Sequence, residues 1–291
     1  MSKEDFKDTL GARMKRYEAV QDTQLIPGLP LYARVDGRHF SKFTKGFGYP
    51  YKELASQGKC GFELTAAMQK TAEALCKEFN CTLVETHSDE ISMAWTDFSK
   101  APFDGRYFKL VSNIASYAGV VFFHHIRDII PDKIANGNFP SFDCRVFQVP
   151  DLTELANLFV WRQNDCIRGC LNQYAQQFFS HKQLNGKTCT EREDMLLDEG
   201  HDWQNMVDDA FKYGFFCHKV QVEVDADWLH LPEEVVQAKI LAGVAMPEKV
   251  IRTKVERLKV SARLANLGNK PEFLFEGAAP ILKGDDESAE A

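Results

Sequence analysis

Apolar and polar residues along the chain follow two different periods, which predict strands and helices in a definite order. Residues 31–35 alternate apolar and polar side chains as a half-buried strand does, and residues 81–95 have the pattern of a hairpin. In three longer segments, apolar residues recur at spacings of three and four. These segments are predicted helices at 64–79, 108–122 and 152–178.

With a further strand at 142–149, the order becomes strand, helix, hairpin, helix, strand. This order is typical of a split βαβ sheet with helices on one face. We therefore predict an α+β fold whose ferredoxin-like antiparallel sheet resembles the palm of polymerases, followed by a C-terminal α-rich extension.

The predicted fold divides the chain into three parts. A palm-type domain with an N-terminal helix covers residues 1–180, and a helical region covers residues 181–283. One short strand, at 220–224, is predicted within the second part. Residues 284–291 are rich in acids and are predicted to form a disordered tail.

Composition limits the functional classes. The chain has 291 residues, 44% of them hydrophobic, which is enough for a large buried core. No stretch reaches the roughly 18 apolar residues of a membrane span, and the charged N-terminus lacks a signal core, so we predict a cytoplasmic protein. The eight cysteines include no C-x₂-C pair, which argues against a zinc ribbon or a redox dithiol.

A net charge of −7 argues against bulk attraction to nucleic acid, although four of the acids lie in the predicted tail. Binding of RNA would therefore depend on a local basic patch. A solvated helix face is the simpler explanation of the one candidate run. That run, which we predict to be helical, contains Lys249, Arg252, Lys254, Arg257, Lys259 and Arg263.

Two acidic turns carry the candidate chemistry. Asp36-Gly37 follows the first strand, and Ser88-Asp89-Glu90 forms the tip of the hairpin. Carboxylates at neighbouring strand ends can hold Mg²⁺ on the phosphates of a nucleotide, as phosphoryl and nucleotidyl transfer require. We predict Asp36, Asp89 and Glu90 as catalytic residues. Asp36, the Gly37 backbone and Asp89 are the predicted metal ligands, and Glu90 acts as a weaker or indirect one.

The residues after Gly37 are candidates for binding a triphosphate. Backbone N–H groups can cradle phosphate where a chain turns, and a glycine allows its close approach. Ordinary turn chemistry explains each acidic turn taken alone, so the prediction depends on the two turns lying together. The predicted nucleotide-binding residues are Asp36, Gly37, Arg38, His39, Phe40, Ser41, Ser88 and Asp89.

A polar cluster lies inside the long helix predicted at 152–178. Arg162 and Asp165 stand beside Trp161 at a spacing that brings two side chains together on a helix. A salt bridge between them is the simple explanation, and positioning of a nucleotide or an RNA phosphate is the alternative.

At these residues the sequence resembles a known family, that of tRNA-His guanylyltransferase. The resemblance spans roughly residues 14–215, and its motifs occur in the order found in the family. The matching segments are 14–18, 32–44, 87–92, 142–146, 161–165 and 184–197.

The resemblance implies an enzyme that extends the 5′ end of tRNA in the 3′-to-5′ direction, on a palm domain like that of ordinary polymerases. In the family, ATP or GTP activates a 5′-monophosphate, and the 3′-hydroxyl of an incoming GTP then attacks it. Two Mg²⁺ ions are held by the residues that match Asp36, the Gly37 backbone and Asp89. The resemblance also implies a homotetramer.

Two departures from the family pattern refine this expectation. Residues 167–173 replace the His-Ile-Asn-Asn-Leu-Tyr-Asn run of eukaryotic members, so the chain is more similar to the guanylyltransferase-like proteins of tRNA 5′-end repair. Tyr49-Pro50 stands where the family favours Lys-Pro. Lys45 or Lys52 would have to substitute for that lysine. Together with Arg162 and Lys187, they are the candidate RNA or phosphate contacts.

Two other functions use the same features. A nucleotide cyclase or cyclic-dinucleotide synthase has the same palm architecture, although the Gly-Gly-Asp-Glu-Phe turn of the latter is replaced by residues 87–91. A non-catalytic tRNA-binding protein could keep the fold, but two carboxylates near RNA phosphate repel it unless a cation lies between them.

Overall fold

The computed structural model describes residues 9–20, 22–43, 63–99, 102–129, 131–226, 231–244 and 248–283. Six strands lie in these ranges: β1 Leu31–Gly37, β2 Leu83–His87, β3 Glu90–Trp95, β4 Phe142–Gln148, β5 Phe215–Asp225 and β6 Lys249–Leu258. The α-helices are α1 Leu10–Ala19, α2 Phe40–Phe43, α3 Glu63–Glu78, α4 Tyr107–Ile126, α5 Pro131–Ala135, α6 Leu152–Ala175, α7 His181–Leu184, α8 Cys189–Asp198, α9 Trp203–Met206, α10 Asp209–Tyr213 and α11 Glu233–Leu241.

The strands form one antiparallel sheet in the order β4-β1-β3-β2-β5-β6. The mixed helix and antiparallel sheet that the sequence predicts is therefore confirmed. Strand β1 lies between β3 and β4, so its last residues are flanked by both neighbours. This arrangement places the end of β1 beside the tip of the β2–β3 hairpin.

The sheet is covered on both faces, and the prediction of helices on one face only is wrong. Leu31 and Val35 of β1 pack in the core formed with α3 and α4, whereas Tyr32 packs against Leu155 and Phe159 of α6. The sequence carries the reason: β1, β2 and β3 contain consecutive apolar residues, and a strand that is apolar on both sides needs cover on both.

Helix α6 crosses from one core to another. Its start is fixed by Asp151, whose side chain accepts a hydrogen bond from the Glu154 amide at 2.8 Å. Its first half covers the sheet, and its second half packs with α7, α8, α9 and α10 in a separate hydrophobic cluster. One helix thus connects the sheet to the region that follows it.

The basic run predicted as a helix is a strand. Residues Lys249–Leu258 form β6, which pairs with β5 along its whole length, and β5 in turn pairs with β2 through residues 215–218. The C-terminal region therefore contributes strands to the sheet as well as helices. None of the helices in the described ranges is both long and apolar enough to cross a bilayer.

Candidate active site at the strand ends

The two acidic turns lie together at one end of the sheet. Asp36 and Glu90 are directly opposite each other in the pairing of β1 with β3, and the Gly37 amide donates a hydrogen bond to the Asp89 carbonyl at 3.0 Å. On the other side of β1, Asp143 of β4 is the cross-strand partner of Asp36. The pairing of β1 with β3 thus meets the condition on which the sequence prediction depends.

Asp36 lies in a field of negative charge. Its pKa is raised above the ordinary 3.8 by partial burial, and further by the carboxylates of Asp89 and Asp143. Arg34 and Arg145 oppose this effect. Carboxylates gathered this closely form a set of oxygen donors that attracts a hard cation.

The described residues contain no group of three or more His, Cys, Asp or Glu side chains that could hold a metal ion. Mg²⁺ does not require such a cage, because it is commonly held by one or two carboxylates, with water and substrate phosphate completing its shell. The donors at this strand end, two neighbouring carboxylates and the backbone around Gly37, fit that pattern.

The hairpin tip is a tight turn. Ser88 has a left-handed backbone with φ of 52°, and its hydroxyl donates to Asp89 Oδ1 at 3.1 Å. The Thr86 hydroxyl donates to the Glu90 carbonyl at 2.7 Å and closes the turn from within. Non-glycine residues with positive φ are held by the structure around them and concentrate at functional sites.

The space around position 37 admits only glycine. A Cβ on this residue would collide with the ring of Phe40, which packs on Phe122 and Phe142. The Arg38 amide, one of those predicted to cradle phosphate, donates instead to the Ser141 carbonyl at 2.8 Å. This hydrogen bond argues against a phosphate contact by the Arg38 amide, and the rest of the phosphate cradle stays a prediction.

Glu90 is held beneath the site by arginines. Its side chain is buried, with Oε1 2.5 Å from Arg162 Nε and Oε2 3.7 Å from Arg34 Nε. Burial raises its pKa, and the neighbouring Arg162 partly offsets this. The carboxylate is thus an anchor between β3 and α6, and direct participation of Glu90 in catalysis stays a prediction.

The salt bridge predicted inside α6 is confirmed. Arg162 Nη1 lies 2.6 Å from Asp165 Oδ2, and the Arg162 guanidinium stacks on Trp161 at 4.6 Å from the ring centroid. Arg162, itself buried, therefore uses its Nε and Nη1 donors on Glu90 and Asp165. These contacts argue against Arg162 as an RNA or phosphate contact.

The three lysine candidates are not equally placed. Lys187 precedes α8, where its Nζ lies 3.0 Å from Glu191 Oε1. A cavity beside the hairpin tip is lined by Ser88 and Asp89, and Lys187 is not part of that lining. Lys45 and Lys52 lie outside the described residues, as does the tail predicted at 284–291.

Sequence reasoning missed a buried pair next to the hairpin tip. His87 Nδ1 lies 2.7 Å from Glu85 Oε1; the Glu85 side chain is fully buried and that of His87 largely so. Burial lowers the pKa of His87, but the charge and hydrogen bond of Glu85 outweigh it and raise the pKa. The sequence does contain a signal for this pair: Glu85 and His87 are two positions apart in a strand, so their side chains point to the same face of the sheet.

A cavity of about 370 Å³ opens beside the hairpin tip. Its lining includes Ser41, Ser88 and Asp89 from the predicted nucleotide site. The rest of the lining comes from α2, α3, α4, α6 and α10 and from strands β2 and β5. Ligand sites commonly have volumes of about 300–1,000 Å³, so the space accommodates part of a nucleotide.

Comparison with known proteins identifies the family. The family model for tRNAHis guanylyltransferase matches residues 11–150. A solved bacterial tRNA(His) guanylyltransferase (Thg1)-like protein in complex with ATP has 32% sequence identity and a TM-score of 0.64, over 72% of this chain and 88% of that one.

Two curated proteins are also similar. An uncharacterised protein of Acanthamoeba polyphaga mimivirus is 30% identical over 75% of this chain and 80% of its own length. The tRNA(His) guanylyltransferase of Debaryomyces hansenii is 28% identical over 63% of this chain and 66% of its own length. The chain belongs to the tRNA(His) guanylyltransferase family, whose members are nucleotidyltransferases.

Proposed function

We propose that this protein is a tRNA 5′-end nucleotidyltransferase that adds GTP or another nucleotide in the 3′-to-5′ direction. The observation that supports the proposal most directly is the meeting of Asp36 and Asp89 at one end of the sheet through the pairing of β1 with β3. Family membership supplies the substrate class, tRNA and nucleoside triphosphates.

The reaction has two transfers. An oxygen of the tRNA 5′-monophosphate attacks the α-phosphorus of ATP or GTP, and pyrophosphate leaves. The 3′-hydroxyl of the incoming GTP then attacks the capped 5′-phosphorus, and the nucleoside monophosphate of the cap leaves. Both transfers require anionic phosphate oxygens to be held and neutralised.

Asp36, Asp89 and the Gly37 carbonyl are the proposed ligands of two Mg²⁺ ions, since they are oxygen donors and the carboxylates repel one another without a cation. When bound, the ions neutralise charge on phosphate oxygens and align the attacking group. Ser41 and Ser88 line the adjacent cavity, which supports a role for both in binding the triphosphate.

Other features implied by the family remain part of the proposal. They are the palm-like arrangement of the sheet, the division into a catalytic domain over 1–180 and an RNA-contacting region over 181–283, the homotetramer and the cytoplasmic location. The guanylyltransferase-like character is supported by the replaced run at 167–173.

The test uses labelled GTP with a 5′-monophosphorylated tRNA that lacks its first nucleotide, in the presence of ATP and Mg²⁺. The expected product is a tRNA one or more nucleotides longer, and full-length tRNA serves as the comparison substrate. Failure of any label to join the truncated tRNA would contradict the proposal.

The alternatives are separated by two further assays. Incubation of GTP or ATP without RNA, followed by chromatography, would reveal a cyclic product if the protein were a cyclase or cyclic-dinucleotide synthase. Binding of tRNA that is independent of metal, with no turnover, would favour a non-catalytic tRNA-binding protein.

A further inference from the structure

Two contacts hold α2 at its two ends, and both come from the segment that runs from α5 to β4. Before the helix, the Arg38 amide donates to the Ser141 carbonyl at 2.8 Å. At its last residue, Lys133 Nζ donates to the Phe43 carbonyl. Ser41 lies between these contacts and lines the cavity beside the hairpin tip. The segment from α5 to β4 therefore fixes the part of the backbone that carries Ser41.

Lys133 provides a hydrogen-bond donor at the end of α2. The last carbonyl groups of a helix have no partner within it, and cationic side chains can donate hydrogen bonds to them. The ammonium of Lys133 also lies 5.7 Å from the centroid of the Phe43 ring, within the range of a cation–π interaction. Lys133 thus contacts both the backbone and the side chain of the last residue of α2.

The backbone of Lys133 is itself held in place. Helix α5 begins at Pro131, whose fixed φ suits the first position of a helix. Ile134 packs against the hydrophobic core formed with α3 and α4. The Asn138 amide donates to the Lys133 carbonyl at 2.9 Å and closes the turn after α5. The ammonium therefore acts on α2 from a fixed position.

We propose that Lys133 is a positioning residue for the triphosphate and that it acts through Ser41. The inference rests on the proposed function, which gives Ser41 its role in triphosphate binding. Lys133 is not part of the cavity lining that the described residues form, so its ammonium acts on α2 and not on the substrate. A helix of four residues depends on tertiary contacts for its stability. Loss of the ammonium would release the end of α2 and move the Ser41 hydroxyl.

Equilibrium binding of inorganic tripolyphosphate with Mg²⁺, measured without tRNA, tests the proposal. Lys133→Met keeps most of the apolar stem but removes the ammonium, and its affinity should fall about ten-fold because a charge-assisted hydrogen bond is lost. Lys133→Arg keeps a cationic donor and should restore most of the affinity. Lys239→Met, which replaces an exposed lysine of α11, is the matched control and should bind as the wild type does.

A second substitution separates positioning from a general loss of structure. Ser41→Ala alone should weaken tripolyphosphate binding. Lys133→Met added to it should cause little further loss, because the effects of residues that act through one another are not additive. Binding is compared at a temperature at which thermal unfolding shows every variant to be folded.

Four results would overturn the inference. They are the absence of tripolyphosphate binding by the wild type, unchanged affinity of Lys133→Met, normal binding by Ser41→Ala, and fully additive losses in the double variant. An affinity of Lys133→Arg as low as that of Lys133→Met would likewise contradict a role for the cation.

The transfer assay is a separate measurement. In tRNA extension, Lys133→Met should raise the KM for GTP and leave kcat near that of the wild type. If the wild type extends tRNA while Lys133→Met binds tripolyphosphate normally, the positioning role is wrong and the proposed function stands. If the wild type extends no tRNA, the proposed function is wrong, and the coupling between positions 41 and 133 still decides whether the two residues act together on an anion.

Discussion

Two arginines meet the carboxylate of Glu90 directly behind the hairpin tip. Glu90 and Arg162 are both buried and form an ion pair, and Arg34 of the neighbouring strand β1 lies within ion-pair distance of the same carboxylate. A buried charge that loses its partner is strongly destabilising, because it can neither pair nor reach water. The geometry of Asp89 and Asp36 depends on this anchor, since Glu90 follows Asp89 and is paired with Asp36.

Replacing Glu90 by Gln should therefore lower the free energy of unfolding by about 3 kcal/mol. Urea denaturation measures the change. Glu223→Gln is the matched control, because its pair with Lys249 is exposed and should contribute less than about 1 kcal/mol. Equal effects of the two substitutions would show that Glu90 is not an anchor.

Glu191 gives a second residue whose role can be measured by pH. Its carboxylate accepts from the Thr188 amide at 2.7 Å and pairs with Lys187, and these interactions lower its pKa to about 2. Because the folded-state pKa lies below the ordinary 4.5, the group stabilises the fold above that value. The contribution is lost as pH falls towards 2.

The difference in unfolding free energy between wild type and Glu191→Ala should therefore be larger at pH 7 than at pH 3. Glu191→Gln is the control, since it retains a capping side chain but has no carboxyl to titrate. A difference that stays constant between the two pH values would contradict the assignment of the lowered pKa to this cap.

Strand β6 shows where a charge pattern misled the sequence prediction. The basic residues recur at helical spacing, but Val250, Ile251, Thr253 and Val255 are β-branched, and such residues favour strands. Pairing with β5 settles the conformation. The charges consequently lie along an exposed ribbon instead of a helix face.

If this ribbon contacts tRNA, neutralising two of its exposed lysines should reduce the salt dependence of binding. Lys249→Gln combined with Lys254→Gln should lower the slope of log affinity against log salt by about two, one for each phosphate that a lysine no longer neutralises. Lys70→Gln with Lys239→Gln is the control for net charge. Identical slopes in the two double variants would exclude the ribbon as the RNA-binding surface.

Local signals account for what the sequence could predict. The strands and helices around Asp36 and Asp89 follow from periodicity, and the turns follow from their acidic and glycine residues. The contact of Glu90 with Arg162 spans 72 positions, and the cavity forms only where several helices enclose it. Such contacts depend on tertiary packing, which short-range patterns do not encode.

At the scale of the whole molecule, strand pairing in the sheet positions the acidic residues of the site, and a different hydrophobic core packs on each face of the sheet. Helices α3 and α4 pack on one face, α6 packs on the other, and the cavity lies where residues of all three helices meet the β2–β3 turn. This arrangement places the cavity directly beside the proposed metal site.

The central claim is that Asp36 and Asp89 hold the Mg²⁺ required for nucleotide addition. Its most direct test is a change of metal preference in the tRNA extension assay with Asp89→Cys, because thiolate ligands favour softer ions than Mg²⁺. With Mg²⁺, the rate should fall by about 1,000-fold, which corresponds to about 4 kcal/mol. Mn²⁺ or Cd²⁺ should restore part of it, whereas Asp128→Cys, in an exposed turn, should behave as wild type. Full activity of Asp89→Cys with Mg²⁺ would contradict the claim.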